Sequence, residues 1–157
     1  MTKTILNKTL SLVLTVILAS TFASCVYFSQ SKLSSEVNSL SKDLPKDLDN
    51  GMTADEISYE KNRNMVSIKY VWFADTLGQE WQSFCYSTTA ERRDKVLNLL
   101  SIKKISRGLP ELIEAAEAGI EIEVETGDGS PLSTITYPNI ATFNDAAKGK
   151  ATEVSES

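Results

Sequence analysis

The chain of 157 residues contains no histidine. That absence excludes a Ser-His-Asp triad, a Cys-His pair and any zinc site built on imidazole. Cysteine is almost as scarce, with Cys25 and Cys85 the only two. Two thiols are too few for a cysteine-rich metal centre. No Gly-rich phosphate loop of the Walker or dinucleotide kind occurs. Basic residues are outnumbered, 16 against 21 acidic ones. Nucleic-acid binders rest on clustered basic charge, so nucleic acid is not an expected partner. No metal and no cofactor are expected either. Catalysis by carboxylates, Lys or Tyr survives these exclusions, but no motif points to it.

Charge is missing most conspicuously from Thr9 to Ser31. Lys3 and Lys8 precede this gap, and its centre is the apolar run Leu10 to Leu18. The small residues Ala19, Ser20, Thr21, Ala23 and Ser24 follow. A positive, then apolar, then small-residue order is that of a secretory signal. A membrane span needs about 20 predominantly apolar residues, and here hydroxyls dilute the second half. An uncleaved anchor and ordinary cleavage after Ala19 or Ala23 are the competing readings.

Cys25 favours a third. Phe22-Ala23-Ser24-Cys25 resembles a bacterial lipobox: an apolar residue, two small ones, then the cysteine that receives lipid. Phe stands where Leu is more usual. The resemblance implies a diacylglyceryl thioether on the Cys25 sulfur, cleavage before Cys25, and acylation of the new amine by a chain such as palmitate. One acyl chain holds a protein marginally, whereas two or more anchor it stably. Residues 1–24 are then a lipoprotein signal peptide, and the membrane is a partner through Cys25.

Removing 24 of 157 residues leaves 133, the length of one domain. Such a chain buries about two-thirds of its unfolded surface. Loss of Lys3 and Lys8 takes the net charge from −5 to −7. With Cys25 lipidated, Cys85 has no partner for an intramolecular disulfide, so packing must hold the domain.

Residues 25–50 read as the lipid anchor and a tether carrying a short helix. Leu33, Val37, Leu40 and Leu44 form an apolar stripe at helical spacing, ended by Pro45. The stripe fits docking on the domain better than docking on a partner. Ile57–Glu60 and Met65–Phe73 read as strands joined by a turn at 61–64, where Asn is able to take positive φ. Val66, Ile68, Tyr70 and Trp72 share the face assigned to the core. Leu77, Trp81, Phe84 and Cys85 have helical spacing. Thr88 and Glu91 make a capping box for a helix that Gly108 stops. Pro110 and Glu111 open another that runs to Gly119.

Ile120 to Glu125 then alternates, with Ile120, Ile122 and Val124 inward and Glu121, Glu123 and Glu125 outward. Gly127-Asp128-Gly129 turns the chain and Leu132–Tyr137 returns, closed by Pro138. Residues 148–157 read as a disordered polar tail. Residues 51–147 are thus a single α+β domain. Its antiparallel sheet has about four strands in two hairpins, with helices packed on one face.

The hairpins, the helix and the Glu111–Ile120 stretch are similar to those of small envelope lipoproteins of the Bacteroidota, over residues 45–140. That family brings no activity with it. Surface lipoproteins of that phylum often carry acidic residues just after the lipidated cysteine. Here Val26-Tyr27-Phe28-Ser29-Gln30 follows, so the resemblance implies an outer-membrane anchor facing the periplasm.

Several residues invite sharper readings. Cys85, among Trp81, Phe84 and Tyr86, fits a buried inert thiol better than a redox centre. Gly127-Asp128-Gly129 lacks the repeated oxygen ligands of a calcium loop. Trp72 and Trp81 fit core aromatics better than a ligand face. Glu121, Glu123 and Glu125 form either a solvated sheet face or a docking face for a basic partner. The chain reads as a non-catalytic envelope lipoprotein that binds another envelope protein or serves an assembly. The alternative is a periplasmic hydrolase working through paired carboxylates.

Overall fold

Residues 25–40 form helix α1 in the computed structural model, which describes residues 25–48, 51–73, 83, 86–88, 91, 102–147 and 155–156. The signal segment, the 77–85 stripe with Cys85 and Trp81, and the apolar positions 96–100 lie outside the described residues. Leu33 and Val37 of α1 are buried, and Leu40 and Leu44 pack against the core from partial exposure. The stripe at helical spacing is therefore docked on the domain. The helix tightens into a 3-10 turn over Ser41–Asp43, and Leu44 is extended (φ −93°, ψ 152°). Proline at 45 requires that of the residue before it.

The sheet has six strands in chain order: β1 Lys46–Asp47, β2 Met52–Glu60, β3 Met65–Trp72, β4 Gly119–Thr126, β5 Pro131–Tyr137 and β6 Ser155–Glu156. The four long strands are the two expected hairpins, β2–β3 and β4–β5, both antiparallel. The short strands flank them at the two edges. Ser155–Glu156, within the stretch read as a disordered tail, pair with β5, and residues 148–154 of that stretch lie outside the described residues.

One expectation is corrected at the centre of the sheet. β3 and β4 are parallel, from Met65 opposite Gly119 to Trp72 opposite Thr126. Parallel neighbours need a crossover of a dozen or more residues, and residues 73–118 provide it. Helix α2 Ile102–Ile105 and helix α3 Leu109–Ala115 belong to this crossover. So does the capping box. The Thr88 backbone N–H donates to Glu91 Oε2 at 2.8 Å, and the Glu91 N–H donates back to Thr88 Oγ1 at 3.4 Å.

The inner face of the sheet is mainly apolar. Val66, Ile68, Tyr70 and Trp72 of β3 lie beside Ile120, Ile122 and Val124 of β4, flanked by Ile57 and by Ile135 and Tyr137. Ile113 and Leu109 of α3 and Ile102 and Ile105 of α2 join the same core, as α1 does. Polar ties reinforce the layers. Lys46 Nζ donates to the Lys104 carbonyl at 2.8 Å, and Lys104 Nζ donates to the Leu48 carbonyl at 3.1 Å.

Three boundaries differ from the periodicity. β2 begins at Met52 rather than Ile57, because a bulge between Ala54 and Glu56 shifts the inward positions from even to odd numbers. α2 ends at Ile105, and Gly108 stands before α3 instead of directly after a helix. α3 ends by Ala116, with Glu117 in the left-handed region (φ 51°), while Gly119 opens β4. A Cβ on Gly119 would lie 2.8 Å from Met65 Sδ and 2.9 Å from the Tyr137 carbonyl, so only glycine fits. A final helix, α4 Ile140–Ala147, was not foreseen. Asn139 caps it, accepting the Thr142 N–H at 2.9 Å, and Phe143 packs edge-on against Tyr137 with ring centroids 5.3 Å apart.

Asn64 ties these parts together. It takes positive φ (49°) at the end of the β2–β3 turn. Its Nδ2 donates to the Ala116 and Glu117 carbonyls at 3.1 and 3.0 Å, its Oδ1 accepts from the Tyr59 hydroxyl at 2.7 Å, and its carbonyl accepts the Gly119 N–H at 2.9 Å. Asn64→Ala loses the side-chain bonds and strains the left-handed backbone, so it should cost about 2–4 kcal/mol in urea unfolding. Asn64→Gly keeps the backbone freedom and should cost less. Equal losses in the two variants would show that the backbone conformation contributes nothing.

Candidate functional site

Two surfaces gather the residues singled out by sequence. The first is the Cys25 end of the described part of α1. Cys25 is exposed there. The Ser29 hydroxyl donates to its carbonyl at 3.0 Å. Tyr27 and Phe28 are 76% and 61% exposed. Lys32 Nζ stands 4.6 Å from the centre of the Phe28 ring. No described helix is long and apolar enough to cross a membrane.

The second surface is the outer face of the sheet. Alternation along β4 buries Ile120, Ile122 and Val124 and leaves Glu121, Glu123 and Glu125 partly exposed. The parallel register brings β3 alongside, and two of the three carboxylates find cations. Arg63, in the β2–β3 turn, grips Glu121 with both guanidinium nitrogens, at 2.7 and 3.2 Å. It also lies 3.4 Å from Glu60. Lys69 of β3 reaches Glu125 at 2.8 Å. Glu123 has no ion-pair partner among the described residues, and Glu56 stands opposite Lys69 on β2.

These contacts set the local acid–base behaviour. The hydrogen bond from Arg63 holds the Glu121 carboxyl below its ordinary range, helped by the positive charge and a Thr136 hydroxyl, against partial burial. Arg63 is raised in turn, chiefly by the same hydrogen bond. Lys69 is raised by its bond to Glu125, with further attraction from Asp55 and Glu56. Sequence alternation marked the glutamates but missed Arg63 and Lys69. Both depend on β3 lying next to β4, a pairing across more than 45 residues that no local pattern reports.

The remaining candidates are structural. The Asp128 Oδ1 accepts from the Thr126 hydroxyl and from the Ser130 N–H at 3.1 Å, which hold its pKa down. The carboxylate thus closes its own turn. Trp72 is buried on the inner sheet face. The Tyr70 hydroxyl is buried without a hydrogen-bond partner among the described residues, and burial pushes its pKa up. No group of three or more Cys, Asp and Glu side chains among the described residues is arranged to hold a metal ion.

No protein-family model and no curated protein matches the chain. Among solved structures, the pilotin from the Vibrio vulnificus type 2 secretion system, EpsS, is similar at 16% sequence identity, over 76% of this chain and 94% of that chain, with a TM-score of 0.47.

The Arg63–Glu121 pair makes a pH prediction. A carboxyl whose folded pKa is depressed stabilises the fold above its unfolded pKa, and that contribution fades as pH falls through the folded value. Arg63→Ala should therefore unfold at lower urea than the native chain at neutral pH, with the gap closing below about pH 4, where carboxylates protonate. A gap that persists undiminished into acid would show that Arg63 stabilises by something other than Glu121.

Proposed function

We propose that the chain is an envelope lipoprotein, anchored through lipid on Cys25 and acting as a non-catalytic protein-binding or assembly module. The observation that carries this reading is the place of Cys25. The lipobox-like Phe22–Cys25 stretch ends on a thiol that is exposed on the described helix. Leu33 and Val37 dock that helix on the core, so lipid at Cys25 would join the domain to the membrane through a helix. The outer membrane, with the domain facing the periplasm, is the proposed location.

The partner surface in this reading is the outer sheet face. Glu56, Glu60, Glu121, Glu123 and Glu125 stand there against Arg63 and Lys69, an excess of negative charge. A basic surface on another envelope protein is the complement, and the attraction would weaken with salt. Glu123, which spends its charge on no described internal pair, is the carboxylate best placed to meet it.

Cys25→Ser should abolish incorporation of labelled fatty acid and leave the precursor uncleaved, read by metabolic labelling and fractionation. Undiminished label on the variant sinks the anchor. Glu123→Lys should leave the melting temperature almost unchanged, since surface charges contribute at most about 1 kcal/mol. It should nevertheless lose salt-sensitive cross-links to a basic envelope protein in native membranes. Cross-links that survive the reversal dispose of the acidic docking face.

A further inference from the structure

Helix α1 carries its apolar residues in two separate places. Leu33 and Val37 are buried in the core, whereas Tyr27 and Phe28 are 76% and 61% exposed. At roughly 100° per residue, Tyr27 lies about 120° from Leu33 on one side and Phe28 about 140° on the other. Both therefore face away from the domain. Large aromatic side chains in water are unfavourable at this density, and two adjacent ones beside a candidate lipid site call for a partner.

The next turns of the helix say which kind. Outward of Phe28 come Ser31, Lys32, Ser34, Ser35, Asn38 and Ser39, all polar. A helix lying in a protein groove needs anchors repeated at three- and four-residue steps along its length. Here the apolar surface stops after one turn. A bilayer surface that crosses the helix near its beginning needs apolar side chains only at that end.

The charge pattern agrees. Nothing charged occurs from Cys25 to Ser31 of the processed chain, and Lys32 is its first charged side chain. From Cys25 to Lys32 the helix rises about 10 Å, close to the depth of the headgroup boundary. Aromatic rings at that level, with a Lys reaching back toward the phosphates, are the usual anchors of a protein at a membrane interface. Lys32 already bends back over the Phe28 ring, its Nζ 4.6 Å from the centroid.

We infer that Cys25 to Phe28 form a membrane-contact turn, in which Tyr27 and Phe28 sit in the lipid headgroup region beside the acylated cysteine. The inference rests on lipid at Cys25 and adds orientation to it. Helix α1 then stands end-on to the bilayer, and its docking on the core through Leu33 and Val37 fixes how the domain faces away from the membrane. A flexible tether would leave that orientation free.

The test uses the full-length chain processed in cells and purified from membranes, with its lipid content measured first. The protein is placed in vesicles of phosphatidylethanolamine and phosphatidylglycerol. Phe28→Trp adds a reporter, read as the difference from the native spectrum. Its emission should shift to the blue and be quenched by lipids brominated near the headgroup, while iodide in the water quenches it poorly. Ser35→Trp, on the same side two turns along, should show the reverse. Tyr27→Ser with Phe28→Ser should pass between vesicles about tenfold faster than the native protein, because less apolar surface is immersed. Lipid present but the Phe28→Trp reporter quenched by iodide overturns the inference alone. Bromolipid quenching of both reporters shows a helix lying flat and overturns the end-on orientation. Lipid absent from the purified protein overturns the anchor reading, and the inference with it.

Discussion

The fold turns on the side chain of Asn64. A chain that forms two hairpins must still decide how they meet, and the hydrophobic pattern alone does not fix the offset between strands so far apart in sequence. Asn64 sits in the turn of the first hairpin and reaches the connection that leads into the second. Its carbonyl takes the Gly119 N–H, the first rung of the β3–β4 ladder. From that rung the parallel register follows, residue by residue, to Trp72 opposite Thr126. Gly119 answers with the one side chain small enough to pass between Met65 and the Tyr137 backbone.

The register divides the sheet into two unlike faces. Even-numbered residues of β3 form one apolar layer with Ile120, Ile122 and Val124 of β4, and burial of such a layer is the main driving force for folding. Odd-numbered residues meet on the other side, where the same register sets Lys69 between the acidic residues of β2 and β4. The charged face is thus a by-product of core packing before it is anything else. Its exposed ion pairs organise the surface without deciding the fold. What distinguishes the face is the surplus of carboxylate that the two cations leave.

Legibility in the sequence followed the range of the interaction. Strict alternation from Ile120 to Glu125 located β4 and both of its faces, because strand periodicity is local. The capping box at Thr88 and Glu91 and the positive-φ turn before Met65 were legible for the same reason. The start of β2 was not, since the bulge at Asp55 breaks the two-residue period midway. α4 was missed because its buried face shows only Ile140 and Phe143, too few to mark a helical stripe. The parallel central pair escaped entirely: nothing near Met65 announces Gly119 as its neighbour. At the candidate sites the glutamates and Cys25 were visible as motifs, whereas Arg63 and Lys69 became partners only through tertiary pairing.

One helix links Cys25 to the packed domain. Leu33 and Val37 make α1 part of the core, while Cys25, Tyr27 and Phe28 lie exposed. The reading as a membrane-bound module therefore stands on the chemistry at a single sulfur. Mass spectrometry of the N-terminal tryptic peptide from the membrane-purified protein tests it most directly. The account predicts a peptide that begins at Cys25 and ends at Lys32, carrying the mass of a diacylglyceryl group and an amide-linked acyl chain. A peptide that begins at Ser20 or Ser24 with an unmodified cysteine would contradict it.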